Sequence, residues 1–487
     1  MKVLKDILYK VAIKSVYGST NCKLANIQYD SRLVNKGDVF VAIKGVESDG
    51  HQFIDQAIEN GANVIVSEID INQKATRVTY VEVESTAEAL AIMASNYYDH
   101  PSANLNLIGV TGTNGKTTVA SLLYDLFKAA GYKVGLLSTV KILVDDDQYA
   151  ATHTTPDALA INSYLSKMNI AGVEFCFMEV SSHGIHQQRT KGLEFRGGIF
   201  TNLSHDHLDY HNSFAAYRDV KKSFFDQLPK SAFALTNVDD KNGRIMVQNT
   251  AAKTHTYALK NYADYRAQIL ENQFKGLLMK INDSELWVKL IGTFNAYNML
   301  ALFASADILG LEQNEILRLM SNLESVSGRF EYFVTDSNIT VIIDYAHTPD
   351  ALKNILQTIN TIRTKNETLI TVIGCGGDRD KAKRSKMGHI ASALSTKAIF
   401  TSDNPRSEDP EVIISEMEKG VEPQNFKRII TITNREQAIK TACQLASPND
   451  IILVAGKGHE TYQEINGKRT DFSDHIIAKN YLNQLQK

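Results

Sequence analysis

The sequence predicts an α/β protein built on parallel sheets with helices on their faces, and three observations predict it. Three short apolar runs, at residues 106–110, 369–373 and 451–455, each end in a glycine-rich polar turn: TGTNGKTT, GCGGDRDK and GKGHE. A buried strand feeding a glycine turn is the repeating unit of such a sheet, with helices packed on its faces. The first turn runs directly into a helical pattern, VASLLYDLFKAAG, that stops at Gly131. Finally, 487 residues at 43% apolar and 22% charged composition suit about three globular domains of ~150 residues each. The polar, proline-bearing stretch YDHPSAN at residues 98–104 reads as a linker, and SVSGR at residues 325–329 as a second boundary. The expected domains are 1–100, 101–328 and 329–487.

Composition excludes several classes. Lys+Arg 52 against Asp+Glu 55 gives a formal charge of −3, which rules out a globally basic nucleic-acid binder. Cys22, Cys176, Cys375 and Cys443 are dispersed without a CxxC pair, so neither a disulfide framework nor a structural zinc site is expected. The N-terminus MKVLKDILYKVAIKSVYG is broken by lysines and is no signal peptide. No run approaches the ~20 apolar residues of a membrane span. A soluble, cytoplasmic protein with no membrane partner is expected.

The strongest local signal is Gly109-Val-Thr-Gly-Thr-Asn-Gly-Lys-Thr-Thr118. Between a strand and a helix, such a turn aims backbone N–H groups and a helix N-terminus at one point, which suits a polyphosphate. Gly112, Thr113, Asn114, Gly115 and Thr118 would form the cradle, Lys116 would reach the β- and γ-phosphates, and Thr117 would bind Mg²⁺. Val110 stands where the usual motif opens with glycine.

The apolar run FCFMEV carries Glu179 near its end. A charge there is costly unless paired or metal-bound, so Glu179 is a candidate Mg²⁺ ligand, the alternative being a helix-capping carboxylate. The run TNLSHDHLDYH holds three histidines in seven positions but lacks a HExxH pair, which argues against zinc. In SFAAYRDVKKSFFDQL, Phe214, Tyr217, Phe224 and Leu228 follow 3–4 spacing. Lys221 falls on that stripe and Lys222 points away. A buried lysine is pushed toward the neutral amine, which can add CO₂ to become a carbamate; the plainer alternative is a lysine that snorkels to the rim.

GTFNAYN opens a helix with Asn295 and Asn298 on one face, able to read an adenine edge or to cap the helix. IIDYAHTP places Asp344 at a strand's carboxyl end, where open α/β sheets bind ligands. In the last third, Arg379, Lys381, Arg406 and Lys457 lie near glycine loops with Asp403 and Glu460. A pocket of both signs suits a zwitterion with an extra carboxylate, the alternative being ordinary surface ion pairs.

Together, YDSR, GVTGTNGKTT, TTP, MEVSSHG, QQR, TNLSHDHLDYH, YRDVKK, GTFNAYN, SGRFE, DYAHTPDAL, GCGGDRDK, DNPR and GKGHE resemble the Mur ligase family, in family order over nearly the whole chain. The resemblance implies three parts: an N-terminal domain that binds a UDP-sugar, a central P-loop-type ATPase domain, and a C-terminal Rossmann-like domain that binds an amino acid. It implies ATP and Mg²⁺ as cofactors and a CO₂-derived carbamate on Lys221, with Lys116, Glu179, His207 and Lys221 catalytic. Thr117, Glu179, His207 and carbamylated Lys221 would hold metal. Asn295, Asn298, Arg329 and Asp344 would join the loop around ATP. Tyr29, Ser31, His153, Thr154, Thr155, Ser181, Gln187 and Arg189 would contact the UDP-sugar peptide; His153 replaces an asparagine that often precedes TTP, and residues 46–48 fill the loop expected near uracil. Arg379, Asp403, Asn404, Pro405, Arg406, Gly456 and Glu460 would contact meso-diaminopimelate. The implied reaction joins diaminopimelate to the D-glutamate of UDP-N-acetylmuramoyl-L-alanyl-D-glutamate through an acyl phosphate, by a monomeric enzyme acting on small molecules. Alternatives are the same ligation with L-lysine, a P-loop kinase, or a nucleotide-binding regulator.

Overall fold

A computed structural model describes residues 2–45, 48–71, 74–204, 206 and 208–487, without the side chains of 208 and 209. Among the described residues three large sheets follow one another along the chain, beside two two-stranded ribbons. The first has five strands in the order Ile13–Tyr17, Thr79–Val83, Val64–Ser67, Val39–Val41, Ile27–Gln28, parallel except for the first pair. The last has six, with Thr340–Asp344, Ile451–Ala455, Leu369–Ile373 and Lys397–Phe400 as its parallel centre.

The central, 11-stranded sheet positions the candidate site. Its parallel heart runs Val134–Leu137, Phe175–Glu179, Asn106–Thr111, Gly197–Phe200, Phe233–Asn237, continued in parallel by Lys253–Ala258 and Tyr265–Gln273, and antiparallel strands lie outside both ends of that run. The five strands of the heart are fully or nearly fully buried apolar runs, as strands covered on both faces must be. Asn106–Thr111 sits where the chain order reverses, between strands that come later on either side. Register sets Glu179 opposite Val110 and Phe200 opposite Thr111. Three carboxyl ends therefore open side by side, at the place where such sheets bind ligands.

Helices Lys116–Ala129 and Thr293–Ile308 cover one face of this sheet, and Ala158–Ala171 and Phe214–Asp226 the other. Phe214–Asp226 starts at Ser213, whose side chain accepts from Ala216 N. Of the predicted stripe, Tyr217, Lys221 and Phe224 are buried, as is Leu228 beyond the helix end; Phe214 is only partly buried, and Phe225, off that spacing, is buried too. Lys222 faces outward and pairs with Asp226 at 2.7 Å. The helix rides low because two strand positions beneath it are glycine. A Cβ on Gly109 would come within 2.6 Å of Phe224 Cζ, and one on Gly198 within 2.9 Å of Phe224 Cε1.

Residues 98–104, which the sequence reads as a polar linker, form an ordered connection. Asp99 and His100 take left-handed backbone, and Pro101–Asn104 close a 3₁₀ turn with Pro101 in its first turn. Ser102 is buried and its Oγ accepts from Glu194 N at 3.0 Å, while Ser95 Oγ donates to Gly192 O at 3.2 Å. The same short polar residues that signal a loop satisfy backbone groups of the central part, so the connection is packed. Among the described residues no helix is long and apolar enough to cross a membrane.

Candidate active site

The loop between Thr111 and Lys116 is gripped by the end of the neighbouring strand. Thr113 N donates to Asn202 O at 2.8 Å, Asn114 N to Asn202 Oδ1 at 3.0 Å, and Thr201 Oγ1 to Asn114 O at 2.6 Å. Gly112 must be glycine, because a Cβ there would lie 2.0 Å from Thr201 Oγ1. Gly115 has φ +87° and its Cβ would meet Asn298 Oδ1 at 2.6 Å. Asn298 thus reaches the loop itself; its Nδ2 donates to Asn295 Oδ1 at 3.0 Å, and Asn295 Nδ2 to Ile291 O at 2.8 Å. In the sequence the run TNLSHDHLDYH stands out for its histidines, not for this grip by Thr201 and Asn202. The signal that finds them is the apolar run GGIF just before, a strand that parallel pairing sets beside the loop strand.

Two ammonium groups converge on one carbonyl. Lys116 Nζ donates to Gly112 O at 3.0 Å and to Thr113 O at 2.8 Å, and Lys221 Nζ to Gly112 O at 2.8 Å. Burial, and then the neighbouring Lys116 charge, hold the Lys221 amine well below its ordinary pKa. Burial also lowers that of Lys116, against the pull of Glu179 and Asp206. Lys221 does not snorkel: it is 1% exposed, with its Nζ 4.9 Å from the Tyr217 ring centre. A buried amine driven toward neutrality is the species that adds CO₂, so the residue fits a carbamate.

Glu179 is buried and fully engaged. Its Oε2 accepts from Thr117 Oγ1 at 2.9 Å and its Oε1 from Thr139 N at 2.8 Å. Thr117 Oγ1 also accepts from Arg329 Nη2 at 3.0 Å, which links the chain after residue 328 to the phosphate loop. A hydroxyl and a carboxylate side by side beneath a phosphate cradle are hard oxygen donors that fit Mg²⁺, an ion usually held by one or two carboxylates plus phosphates. Among the described residues no group of three or more His, Cys, Asp or Glu could hold a metal by itself. His207, assigned above to metal, lies outside the described residues, as do residues 46 and 47 of the loop expected near uracil.

Behind Glu179 lie the TTP and SSHG turns. Thr155 Oγ1 donates to Glu179 O at 2.8 Å and accepts from Ser181 N at 2.9 Å, while Thr139 Oγ1 donates to Thr154 Oγ1 at 3.1 Å. Arg189 Nη1 donates to Thr155 O at 2.6 Å, and its Nε and Nη2 grasp Gln187 Oε1 at 3.0 and 2.6 Å. Tyr29 is half exposed; burial and Asp157 push its phenol up to about 12. Ser31 Oγ donates to Gln56 Oε1 at 2.8 Å, and His153 is exposed beside Thr152. The remaining nucleotide candidate, Asp344, accepts from Phe330 N at 2.6 Å and Ala346 N at 2.7 Å. Burial raises its carboxyl to about 6 despite the nearby Arg329.

In the last third, the turns after three parallel strands meet. Gly377 lies against residues 404–406: its N donates to Asn404 O, and Arg406 Nη1 donates to Gly377 O at 2.6 Å. Gly456, at φ +114°, lets Asp403 Oδ2 approach to 2.6 Å of where a Cβ would stand. Arg406 has a left-handed backbone, φ 51°. A hairpin of Tyr462–Ile465 and Lys468–Asp471, turned by Asn466-Gly467, holds it there: Arg406 N donates to Glu464 O at 3.2 Å and Asn466 N to Arg406 O at 2.6 Å. Arg379 is exposed and forms no ion pair among the described residues. Lys381 pairs with Glu408 at 3.2 Å.

Comparison with known proteins fits this geometry. The Mur ligase middle domain model matches residues 110–306, the Mur ligase glutamate ligase domain 328–458, and the Mur ligase family catalytic domain 23–98. The chain is 51% identical over 485 residues to the UDP-N-acetylmuramoyl-L-alanyl-D-glutamate–2,6-diaminopimelate ligase of Cytophaga hutchinsonii, covering 99% of this chain and 100% of that one. It is 50% identical over 471 residues to the protein of the same name from Parabacteroides distasonis, covering 97% of each. A solved structure of a ligase of that name superposes with a TM-score of 0.70 at 30% identity, covering 100% of this chain and 99% of the other. The MurF ligase of Thermotoga maritima, solved with ADP, shares the fold at a TM-score of 0.61 and 20% identity, over 94% and 96% of the two chains. With the family models spanning most of the sequence and relatives matching it end to end, the chain belongs to the Mur ligase family.

Proposed function

We propose that this chain is the ATP-dependent amide ligase that adds 2,6-diaminopimelate to UDP-N-acetylmuramoyl-L-alanyl-D-glutamate, a cytoplasmic step toward peptidoglycan precursor. The observation that carries the reading is the pairing of a phosphate cradle with a pocket of both charge signs, in a chain about half identical to diaminopimelate ligases over their full length.

The glutamate γ-carboxylate attacks the γ-phosphorus of ATP, the bond to the ADP oxygen breaks, and an acyl phosphate forms. An amine of diaminopimelate then attacks the acyl carbon, phosphate leaves with the C–O bond electrons, and the amine gives up a proton as the amide forms. The first step brings anions together. Lys116 supplies positive charge at the cradle, and backbone N–H groups at the start of Lys116–Ala129 add to it. Thr117 and Glu179 would hold Mg²⁺, with a Lys221 carbamate as a further ligand; bound there, the metal screens repulsion between phosphate and carboxylate. Arg329, reaching Thr117 from beyond residue 328, ties the last third of the chain to the reacting end and helps exclude water from a hydrolysable acyl phosphate. Thr155, Ser181, Gln187 and Arg189 form the bonded wall that would orient the peptide arm, with Tyr29 and Ser31 toward the nucleotide end.

The distal carboxylate distinguishes diaminopimelate from L-lysine. An arginine aimed at that carboxylate is left unpaired by lysine, and sites of this kind reject the lacking analogue by ~10⁴-fold or more. Phosphate release with UDP-muramoyl-dipeptide, with and without diaminopimelate or lysine, tests the reading. Release that requires both dipeptide and diaminopimelate, with stoichiometric amide, supports it. Release independent of any amine points to a kinase instead, and no turnover at all to a regulator.

A further inference from the structure

The GKGHE turn carries a lysine between two glycines. Its ammonium does not face out of the turn. The Lys457 side chain is 0% exposed, and its Nζ donates to Asn404 Oδ1 and to Glu460 Oε2, each at 2.9 Å. Asn404 Nδ2 donates to the same Glu460 Oε2 at 2.8 Å, which closes a triangle. Asn404 Oδ1 also accepts from Glu464 N at 3.0 Å, so the amide has one orientation that satisfies every neighbour: oxygen toward two donors, nitrogen toward the carboxylate. The Tyr462 ring, its centre 5.4 Å from Nζ, completes the enclosure.

We infer that Lys457 is a positioning residue for the amine-acceptor pocket: it locks Asn404 and Glu460 so that Glu460 offers one oxygen to the ammonium of the incoming amino acid. This rests on the ligase reading above. Both bonds to Glu460 fall on Oε2, and among the described residues Oε1 accepts none. Without the buried cation, Asn404 keeps its orientation through Glu464 N, but Glu460 Oε2 loses its one charged donor and is left with the Asn404 amide alone, so the carboxylate loses its fixed direction. Asp403 is held differently, its Oδ1 accepting from Asn404 N at 2.7 Å, so the lysine acts on one wall of the pocket only. A lysine meant for ATP phosphates would instead keep its ammonium accessible, as the cradle requires.

The test is a double-mutant cycle on the full-length protein with Lys457→Met and Glu460→Gln, reading KM for diaminopimelate and for ATP, and unfolding temperature. A lost hydrogen bond to a charged group predicts a rise of ~10-fold or more in KM for diaminopimelate with Lys457→Met, while KM for ATP stays within about 2-fold. In the Glu460→Gln background the same change should matter less than ~3-fold, because the lysine acts through Glu460. Should Lys457→Met fail to fold, Lys457→Gln runs through the same cycle. Multiplicative effects, or an equal rise in KM for ATP, overturn the assignment. Wild-type protein that ligates no diaminopimelate overturns the ligase reading and this assignment with it. Wild-type protein that ligates it, beside a Lys457 variant of unchanged KM, overturns the assignment alone.

Discussion

Gly109→Ala asks whether the height of one helix sets the position of Lys221. The added methyl would stand 2.6 Å from Phe224 Cζ and 3.0 Å from Phe195 Cε1 and Val180 Cγ2. Carbon atoms prefer ~3.5 Å, so relief needs roughly 0.9 Å of outward movement, either of the ring or of the helix that carries it. Phe195 and Val180 hem in the methyl from other sides, and Phe224 is 4% exposed, so the helix must give. Overpacking of this kind costs about 1–3 kcal/mol. Phe224 lies three residues from Lys221, and moving Lys221 Nζ away from Gly112 O breaks a 2.8 Å contact. A displacement near ~1 Å at catalytic groups costs on the order of 10²-fold in turnover. The assay is amine-dependent phosphate release at saturating substrates, read with thermal unfolding. Gly109→Ala should lose both stability and turnover, and Gly109→Ala with Phe224→Leu should regain much of each. A single variant that is destabilised yet turns over at the wild-type rate would refute the link between helix height and catalysis.

Three further outcomes follow from the site. Glu179→Gln should keep a bond from Thr139 N but lose the charge, so turnover should fall by ~10²-fold or more and the Mg²⁺ concentration for half-activity should rise; titrating Mg²⁺ against phosphate release reads both. Arg406→Ala should raise KM for diaminopimelate by ~10-fold or more while KM for ATP holds, and an equal rise in both would make the arginine a scaffold residue. Asp344 carries a carboxyl raised to about 6 from an ordinary 3.8, so between those values the folded protein holds a proton that the unfolded chain releases. Stability should therefore fall as pH rises from about 4 to 6 and level off above, by about 3 kcal/mol for a shift of this size. Chemical denaturation across that range should show the slope in the wild type and a flatter one in Asp344→Asn.

Some of this was legible in one dimension because it is local. Lys116 and Thr117 belong to one short motif, and Lys221 declares itself by 3–4 spacing on an apolar stripe whatever the rest of the chain does. Thr139, Thr201 and Asn202 were not legible as loop and carboxylate partners. They lie 22 to 88 residues from Thr117 or Asn114, and only the parallel register of separate strands brings them in. Lys457 read as a cation near a glycine loop, but spacing cannot tell whether an ammonium points out to phosphate or back into the wall. The polar stretch at residues 98–104 carried the composition of a free linker because caps and turns draw on the same residue types; burial of Ser102 depends on a partner, Glu194, far along the chain.

The hairpin Tyr462–Ile465 and Lys468–Asp471 bears on how this selectivity could be moved between proteins. Arg406 sits in a backbone region that disfavours side chains by about 1 kcal/mol or more, and two main-chain bonds from the hairpin keep it there. The guanidinium's aim is thus stored in a ribbon some sixty positions downstream, closed by an Asn-Gly turn of the type that matches strand twist. Transplanting the four-residue DNPR segment alone would carry the arginine without its template; a transferable module would need both pieces, one from the middle of the C-terminal sheet's sequence and one from beyond its last strand.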